Sequence, residues 1–439
     1  MSGGNQLWLE RSRRAVWHPC TQMKQHETLP LVPIAGARGC WLVDFEGRRY
    51  FDAVSSWWVN LFGHDDPRIK AAIVRQLDQL DHVLLAGFTH RPVVELAERL
   101  AAAAPGKLGH AFFASDGASA IEIALKMAFH YWRNAGRPQK ASFASLAGGY
   151  HGETLGALAV TDVAIFRDTY APLLTVHHLL PSPDARAAHA GEDARSVAAR
   201  AADAMEAYLA EHHATLAACI VEPLVQGASG MAMHHPHYLA RLRAACTRHD
   251  VLLIADEIMT GFGRTGTLFA WEQSGAAAPD FLCLSKGLTG GILPLSAVLT
   301  TDAVYAAFYD DATSRAFLHS HSYTGNPLAC AAALAVLDIF VEDDVIAANR
   351  ERAERWSTRF GALATHASVR HFRHRGMIWA FDVVTARADF PRWAFAEALA
   401  RGVLLRPIDR TVYFMPPYVA QDDAIALLAD TALGIVERA

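Results

Sequence analysis

Three short apolar runs in this chain each stop abruptly at a charged or polar residue. Leu216-Ala-Ala-Cys-Ile-Val ends in Glu222-Pro223, Val251-Leu-Leu-Ile-Ala ends in Asp256-Glu257, and Phe281-Leu-Cys-Leu ends in Ser285-Lys286. Runs this short, without polar alternation, read as strands of a parallel sheet covered by helices on both faces. A fourth run, Ala111-Phe-Phe-Ala, ends at Ser115-Asp-Gly-Ala-Ser and leads into Ile121-Glu-Ile-Ala-Leu-Lys-Met-Ala, whose apolar positions recur at helical spacing. Ligands of open α/β sheets bind outside the carboxyl ends of the strands. The polar ends therefore converge on one crevice. Asp256 and Lys286 stand about 30 residues apart, the length of a βαβ unit.

Each polar end suggests a chemistry. A crowded, buried ammonium has a lowered pKa, so Lys286 is suited to attack carbonyls. Strand, small-residue turn and helix start at Ser115 to Ala118 make an anion site, because free amides and the helix dipole both favour phosphate. The plain alternative there is an ordinary helix start capped by serine. Taken together, a phosphate cradle, a strand-end aspartate and a strand-end lysine are what pyridoxal phosphate needs: the helix holds the phosphate, Lys286 the aldehyde, and Asp256 the pyridine nitrogen.

On these residues the chain resembles the class III aminotransferases of fold type I. The matching segments are the Ser-Asp-Gly-Ala-Ser turn, Gly148-Gly-Tyr-His-Gly152, Val221-Glu-Pro-Leu-Val-Gln-Gly227, Asp256-Glu-Ile-Met-Thr-Gly-Phe-Gly-Arg-Thr-Gly266, Ser285-Lys-Gly287 and Gly325-Asn-Pro327, in family order across most of the chain. The resemblance implies an α/β fold: a large cofactor domain with a mainly parallel sheet over 61–335, and a small α+β domain built from 1–60 and 336–439. It implies catalytic roles for Lys286, Asp256 and Tyr150, and cofactor contacts from Ser115, Gly117, Ala118, Tyr150 and Glu222. It further implies a homodimer with shared sites, in which Ser322 or Thr324 reaches the neighbouring subunit's phosphate. Met259 stands where many members carry glutamine.

A second motif competes. Gly261-Phe-Gly-Arg-Thr-Gly266 fits the dinucleotide fingerprint, but that site needs its glycines directly after a strand and opening a helix. Here Asp256-Glu257 close the strand first, so the segment reads as a loop beside the cofactor.

Composition excludes other classes. Hydrophobic residues make up 52% of 439, ample for a large core, and the net charge of −5 gives no reason to expect nucleic acid as a partner. No apolar stretch reaches membrane length and the first residues lack an apolar leader, so a cytoplasmic location is expected. The six cysteines form no C-x-x-C pair and the histidines no H-E-x-x-H cluster, which predicts buried thiols and no metal.

Substrate choice rests on other segments. Trp17-His-Pro-Cys-Thr-Gln-Met23, the pair Trp57-Trp58, and Leu405-Arg406-Pro407 before Tyr413-Phe-Met-Pro-Pro417 are similar to the biotin-synthesis branch of the family, in which S-adenosylmethionine aminates 8-amino-7-oxononanoate. Cys20 replaces a tyrosine common in that branch. A long oxo acid with one carboxylate suits a tryptophan-lined tunnel ending in arginine. Trp57, Trp58 and Arg406 are the candidates, against core or dimer-interface packing for the tryptophans and a surface ion pair for the arginine. Arg264 reads either as a substrate contact or as the partner of an acid such as Glu222. An ω-amino acid or diamine aminotransferase using pyruvate or 2-oxoglutarate is the alternative reading.

Overall fold

A computed structural model describes residues 4–29, 31–175 and 177–439. The chain falls into two compact units: one runs up to Pro67 and resumes at Arg350, and the other spans Arg68–Asn349.

The larger unit is built on a seven-stranded sheet of β1 (His110–Ala114), β2 (Ser142–Leu146), β3 (His178–Leu180), β4 (Leu216–Val221), β5 (Leu252–Asp256), β6 (Phe281–Leu284) and β7 (Ser296–Thr300), ordered β1-β7-β6-β5-β4-β2-β3. β7 is antiparallel to both neighbours, and the pairings from β6 through β5, β4 and β2 to β3 are parallel. β4, β5, β6 and β7 are buried along their whole length, which is why they carry no polar alternation. Helix α1 (Gly117–Asn134) lays Ile121, Ala124, Leu125 and Ala128 against this sheet, packing with Ile220, Ile254, Phe281 and Val298. The cap is Asp116, whose carboxylate accepts the Ser119 amide at 2.9 Å, so the capping residue is not the serine that the sequence suggested.

Helix α2 (Pro327–Glu342) opens with Asn326 as cap and proline in its first turn, an arrangement in which proline costs no hydrogen bond. It packs on the turn that carries Lys286 and on the helix Arg91–Ala103. That packing joins the helix to the larger unit, which runs to Asn349.

In the smaller unit, Ile34–Arg38, Trp41–Asp44 and Arg49–Asp52 form an antiparallel meander, and Val403–Leu404 adds to it in parallel at Phe51 and Asp52. A bridge between Gly39 and His64 ties the following loop to this sheet, and the first segment of the smaller unit runs to Pro67. A second sheet pairs Val369–Arg375, Ile378–Val383 and Thr411–Phe414, and Asp422–Arg438 is the last helix.

Candidate active site

The parallel strands deliver the expected residues to one edge of the larger sheet. β1 runs into Ser115, β2 into Gly148–Gly152, β4 into Glu222, β5 ends at Asp256, and β6 runs into Ser285 and Lys286.

At the first of these ends, the opening amides of α1 have no acceptor within the helix. A Cβ on Gly117 would come within 2.9 Å of Ile258 Cγ2, so only glycine lets the turn lie this close to the loop after Asp256. Ser115 is held by a residue the sequence reading passed over: its amide donates to His321 Nε2 at 3.2 Å, and its hydroxyl lies 3.0 Å from the same nitrogen. Thr324 donates its hydroxyl to the Phe113 carbonyl at 2.8 Å, while Ser322 is exposed.

Asp256 is buried, with Oδ1 accepting the Ile258 amide at 3.1 Å and Oδ2 facing His151 Nδ1 at 2.8 Å. His151 is buried too, and its Nε2 has no hydrogen-bond partner among the described residues. Glu222 accepts the amides of Tyr150 and Gly227, each at 2.9 Å. Burial pushes the Glu222 carboxyl up to about 7, with nearby Asp256 adding to the rise and His151 opposing it. The Tyr150 hydroxyl donates to Glu153 at 2.9 Å.

Lys286 is partly buried at φ 44°, a left-handed conformation that a residue with a Cβ adopts only under constraint. Burial holds its ammonium below the ordinary lysine range, against the opposing pull of Asp256 and Glu222. Gly290 at φ 66° then closes the turn.

The Gly261–Gly266 segment forms turns and opens no helix, as expected of a loop. It carries Arg264, buried to 1% exposure, and follows buried Met259. Glu257, also buried, anchors the loop by accepting the amides of Ala270 and Trp271 at 2.8 and 2.7 Å and the Thr260 hydroxyl at 3.0 Å.

The substrate candidates Cys20, Trp57, Trp58 and Arg406 all belong to the smaller unit. Trp58 is buried and donates its indole N–H to the Tyr413 hydroxyl at 3.1 Å. Trp57 is 40% exposed, with the Arg406 guanidinium 4.4 Å above its ring. Arg406 also reaches the Cys20 carbonyl at 3.5 Å. Among the described residues no cluster of metal-ligating side chains is present, and no helix is long and apolar enough to cross a membrane.

The family description of the class-III aminotransferases matches residues 22–436. The chain is a class III aminotransferase. It is 42% identical over 421 residues to the adenosylmethionine-8-amino-7-oxononanoate aminotransferase of Helicobacter pylori, covering 93% of each chain. To the protein of that name from Anoxybacillus flavithermus it is 39% identical, covering 98% of this chain and 96% of the relative. The crystal structure of the adenosylmethionine-8-amino-7-oxononanoate aminotransferase from Methanocaldococcus jannaschii superposes with a TM-score of 0.92 at 33% identity, over 99% of both chains. An amine transaminase from an uncultivated Pseudomonas species, in its PLP-bound form, gives 0.90 at 34% identity over 97% of this chain and 98% of that one.

As in its family, the cofactor of this aminotransferase is pyridoxal 5'-phosphate. The residues present fit it: a glycine turn at a helix start, a buried carboxylate at a strand end, and a lysine whose charge is disfavoured. The orphaned Nε2 of buried His151 marks the same region as one built around polar groups. His151 was legible in principle, since it stands inside the Gly148–Gly152 segment directly after Tyr150. His321 gave no such sign, because only the fold brings it to Ser115.

Proposed function

We propose that this aminotransferase moves the amino group of S-adenosylmethionine to 8-amino-7-oxononanoate, forming 7,8-diaminononanoate in biotin synthesis. The observation that carries the reading is similarity over nearly the full length to relatives that bear that name, joined to a half-buried arginine, Arg406, seated on the face of Trp57. When bound, pyridoxal phosphate supplies the aldehyde that takes up the amino group and a ring that accepts electrons released at the substrate Cα.

The chain's own residues do the rest. Gly117 and Ala118 would hold the cofactor's phosphate through their amides, with Ser115 beside them in the chain. Asp256 would hold the pyridine nitrogen of the cofactor in its protonated form, and Glu222, which accepts the Tyr150 amide, would keep Tyr150 in place for the cofactor. Lys286, its ammonium disfavoured by burial, would take the proton from the substrate Cα and return it later in the reaction. Arg406 holds the carboxylate of the oxo acid, Trp57 lies along its apolar chain, and Trp58 and the Cys20 backbone support them. Arg264 is a further substrate contact. Two substrates then use one set of groups in turn.

We also propose a homodimer acting in the cytoplasm. Leu84, Phe88, Tyr309, Leu318 and Tyr323 on the larger unit are 53, 61, 79, 76 and 62% exposed, large apolar side chains of the kind a second subunit would cover. Ser322 or Thr324 would then serve the neighbour's phosphate.

The test is a half-reaction. The cofactor absorbance of the holoenzyme is followed on adding S-adenosylmethionine, alanine, glutamate or lysine separately. Conversion to the amino form by S-adenosylmethionine, reversed by 8-amino-7-oxononanoate, is expected. Conversion by alanine or glutamate alone would instead select the amine or ω-amino acid reading, to which the similarity with the Pseudomonas amine transaminase lends weight.

A further inference from the structure

Four consecutive residues, Ser55, Ser56, Trp57 and Trp58, have φ of 51°, 46°, 72° and 73°. Left-handed backbone is costly for every residue with a Cβ, and a run of four persists only where its surroundings hold it. The holder is Asp52, the last residue of the strand Arg49–Asp52 and itself 0% exposed. Its Oδ1 accepts the Ser56 amide at 2.8 Å and its Oδ2 accepts the Ser56 hydroxyl at 2.7 Å. His64 Nε2 stands 3.2 Å from the same Oδ2. At the other side of the turn, the Ser55 hydroxyl donates to the Met415 carbonyl at 2.7 Å.

The turn sends the two tryptophans to different places. Trp58 goes inward to Tyr413, and Trp57 stays exposed beneath Arg406. An arginine stacked on an aromatic face is restrained in direction while its planar edge keeps its donors, the geometry that receives a carboxylate in a fork. A turn relaxed to right-handed backbone would carry Trp57 elsewhere and release Arg406.

We propose that Asp52 is a positioning residue for the substrate: through Ser56 it locks a left-handed turn that lays Trp57 under Arg406, and this pair receives the carboxylate end of a long apolar acid. The inference rests on the substrate reading given above.

The test compares the PLP-loaded wild type with Ser56→Ala, Asp52→Asn and Asp52→Ala. Near-ultraviolet circular dichroism reads the turn, with Trp57→Phe marking the band that belongs to Trp57. Calorimetric binding of nonanoate, an unreactive monocarboxylate, reads the platform, and KM against kcat for 8-amino-7-oxononanoate reads the reaction. Asp52→Ala is expected to lose the Trp57 band, to bind nonanoate about 10-fold more weakly, and to raise KM similarly with kcat within about threefold, as loss of one charge-assisted contact would do. Ser56→Ala should weaken binding about threefold, the loss of one neutral hydrogen bond. Asp52→Asn keeps an acceptor for the Ser56 amide and should recover most of the band and the affinity.

Unchanged dichroism and nonanoate affinity in Ser56→Ala and Asp52→Ala would overturn the assignment, as would a fall in kcat with binding intact. Should Asp52→Ala not fold, the same two readouts on Ser56→Ala and Asp52→Asn decide. A wild type that binds nonanoate yet leaves the oxo acid unaminated counts against the substrate alone, and the dichroism still judges the turn.

Discussion

The Nδ1 of His151 lies 2.8 Å from Oδ2 of Asp256, and both side chains are buried. His151 holds the Oδ2 side of this carboxylate as the Ile258 amide holds Oδ1, so the pair fixes the orientation in which Asp256 would meet the pyridine nitrogen. His151→Ala should therefore weaken cofactor binding by about 10- to 100-fold, the scale of a hydrogen bond to a charged group. Titrating apoprotein with pyridoxal phosphate measures it, and His151→Asn, which can still donate, should recover part of the loss.

Lys286→Ala should cut turnover by about 10²- to 10⁴-fold or more, the range for losing a positioned proton carrier. The cofactor should still bind, but without a covalent link. Borohydride treatment followed by denaturation and mass measurement separates the cases: wild type keeps the added mass and the variant does not. Near-normal turnover would remove Lys286 from its role.

Gly117→Ala places a methyl 2.9 Å from Ile258 Cγ2. Either the turn at Gly117 or the Ile258 side chain in the loop after Asp256 must shift. Overpacking of this kind costs about 1–3 kcal/mol. Because the strained contact joins two cofactor-holding segments, cofactor affinity should fall more than the melting temperature of the apoprotein does.

Burial pushes the Glu257 carboxyl up to about 8, against the opposing amides of Ala270 and Trp271. The unfolded chain loses that proton near the ordinary value of 4.5, so between there and about 8 the folded state holds more protons. Stability from this group must fall as pH rises through that window. Glu222 acts with the same sign up to about 7. Glu257→Gln removes the titration but gives up an acceptor, costing about 1–3 kcal/mol. Its melting temperature should start below wild type at pH 6, and the gap should narrow by pH 9.

The strand ends were readable because a fully buried strand must be apolar throughout and a ligand site must begin where it stops. Glu222, Asp256 and Lys286 carry that signature in three places. Val369–Arg375 escaped because its arginines and histidines lie along an edge strand, where exposure rather than burial sets the composition. The His321 contact with Ser115 joins residues 206 apart, a distance over which no local pattern speaks. Trp57 and Trp58 were visible as a pair, but their opposite fates depend on backbone handedness, which residue types alone do not reveal.

β7 stands between β1 and β6, running against both. The strand that leads to Ser115 and the strand that leads to Lys286 are thus two steps apart, about 10 Å at ordinary strand spacing. Backbone hydrogen bonds set that interval, so exchanging side chains cannot stretch or shorten it. Relatives are then free to diverge in what they accept while the place where the cofactor is gripped stays put. This agrees with amine and ω-transaminase structures that superpose at TM-scores of 0.90 and 0.92 with only 34 and 28% identity. New specificity in such a lineage has to be written in the walls around the cofactor, because its mooring is part of the frame.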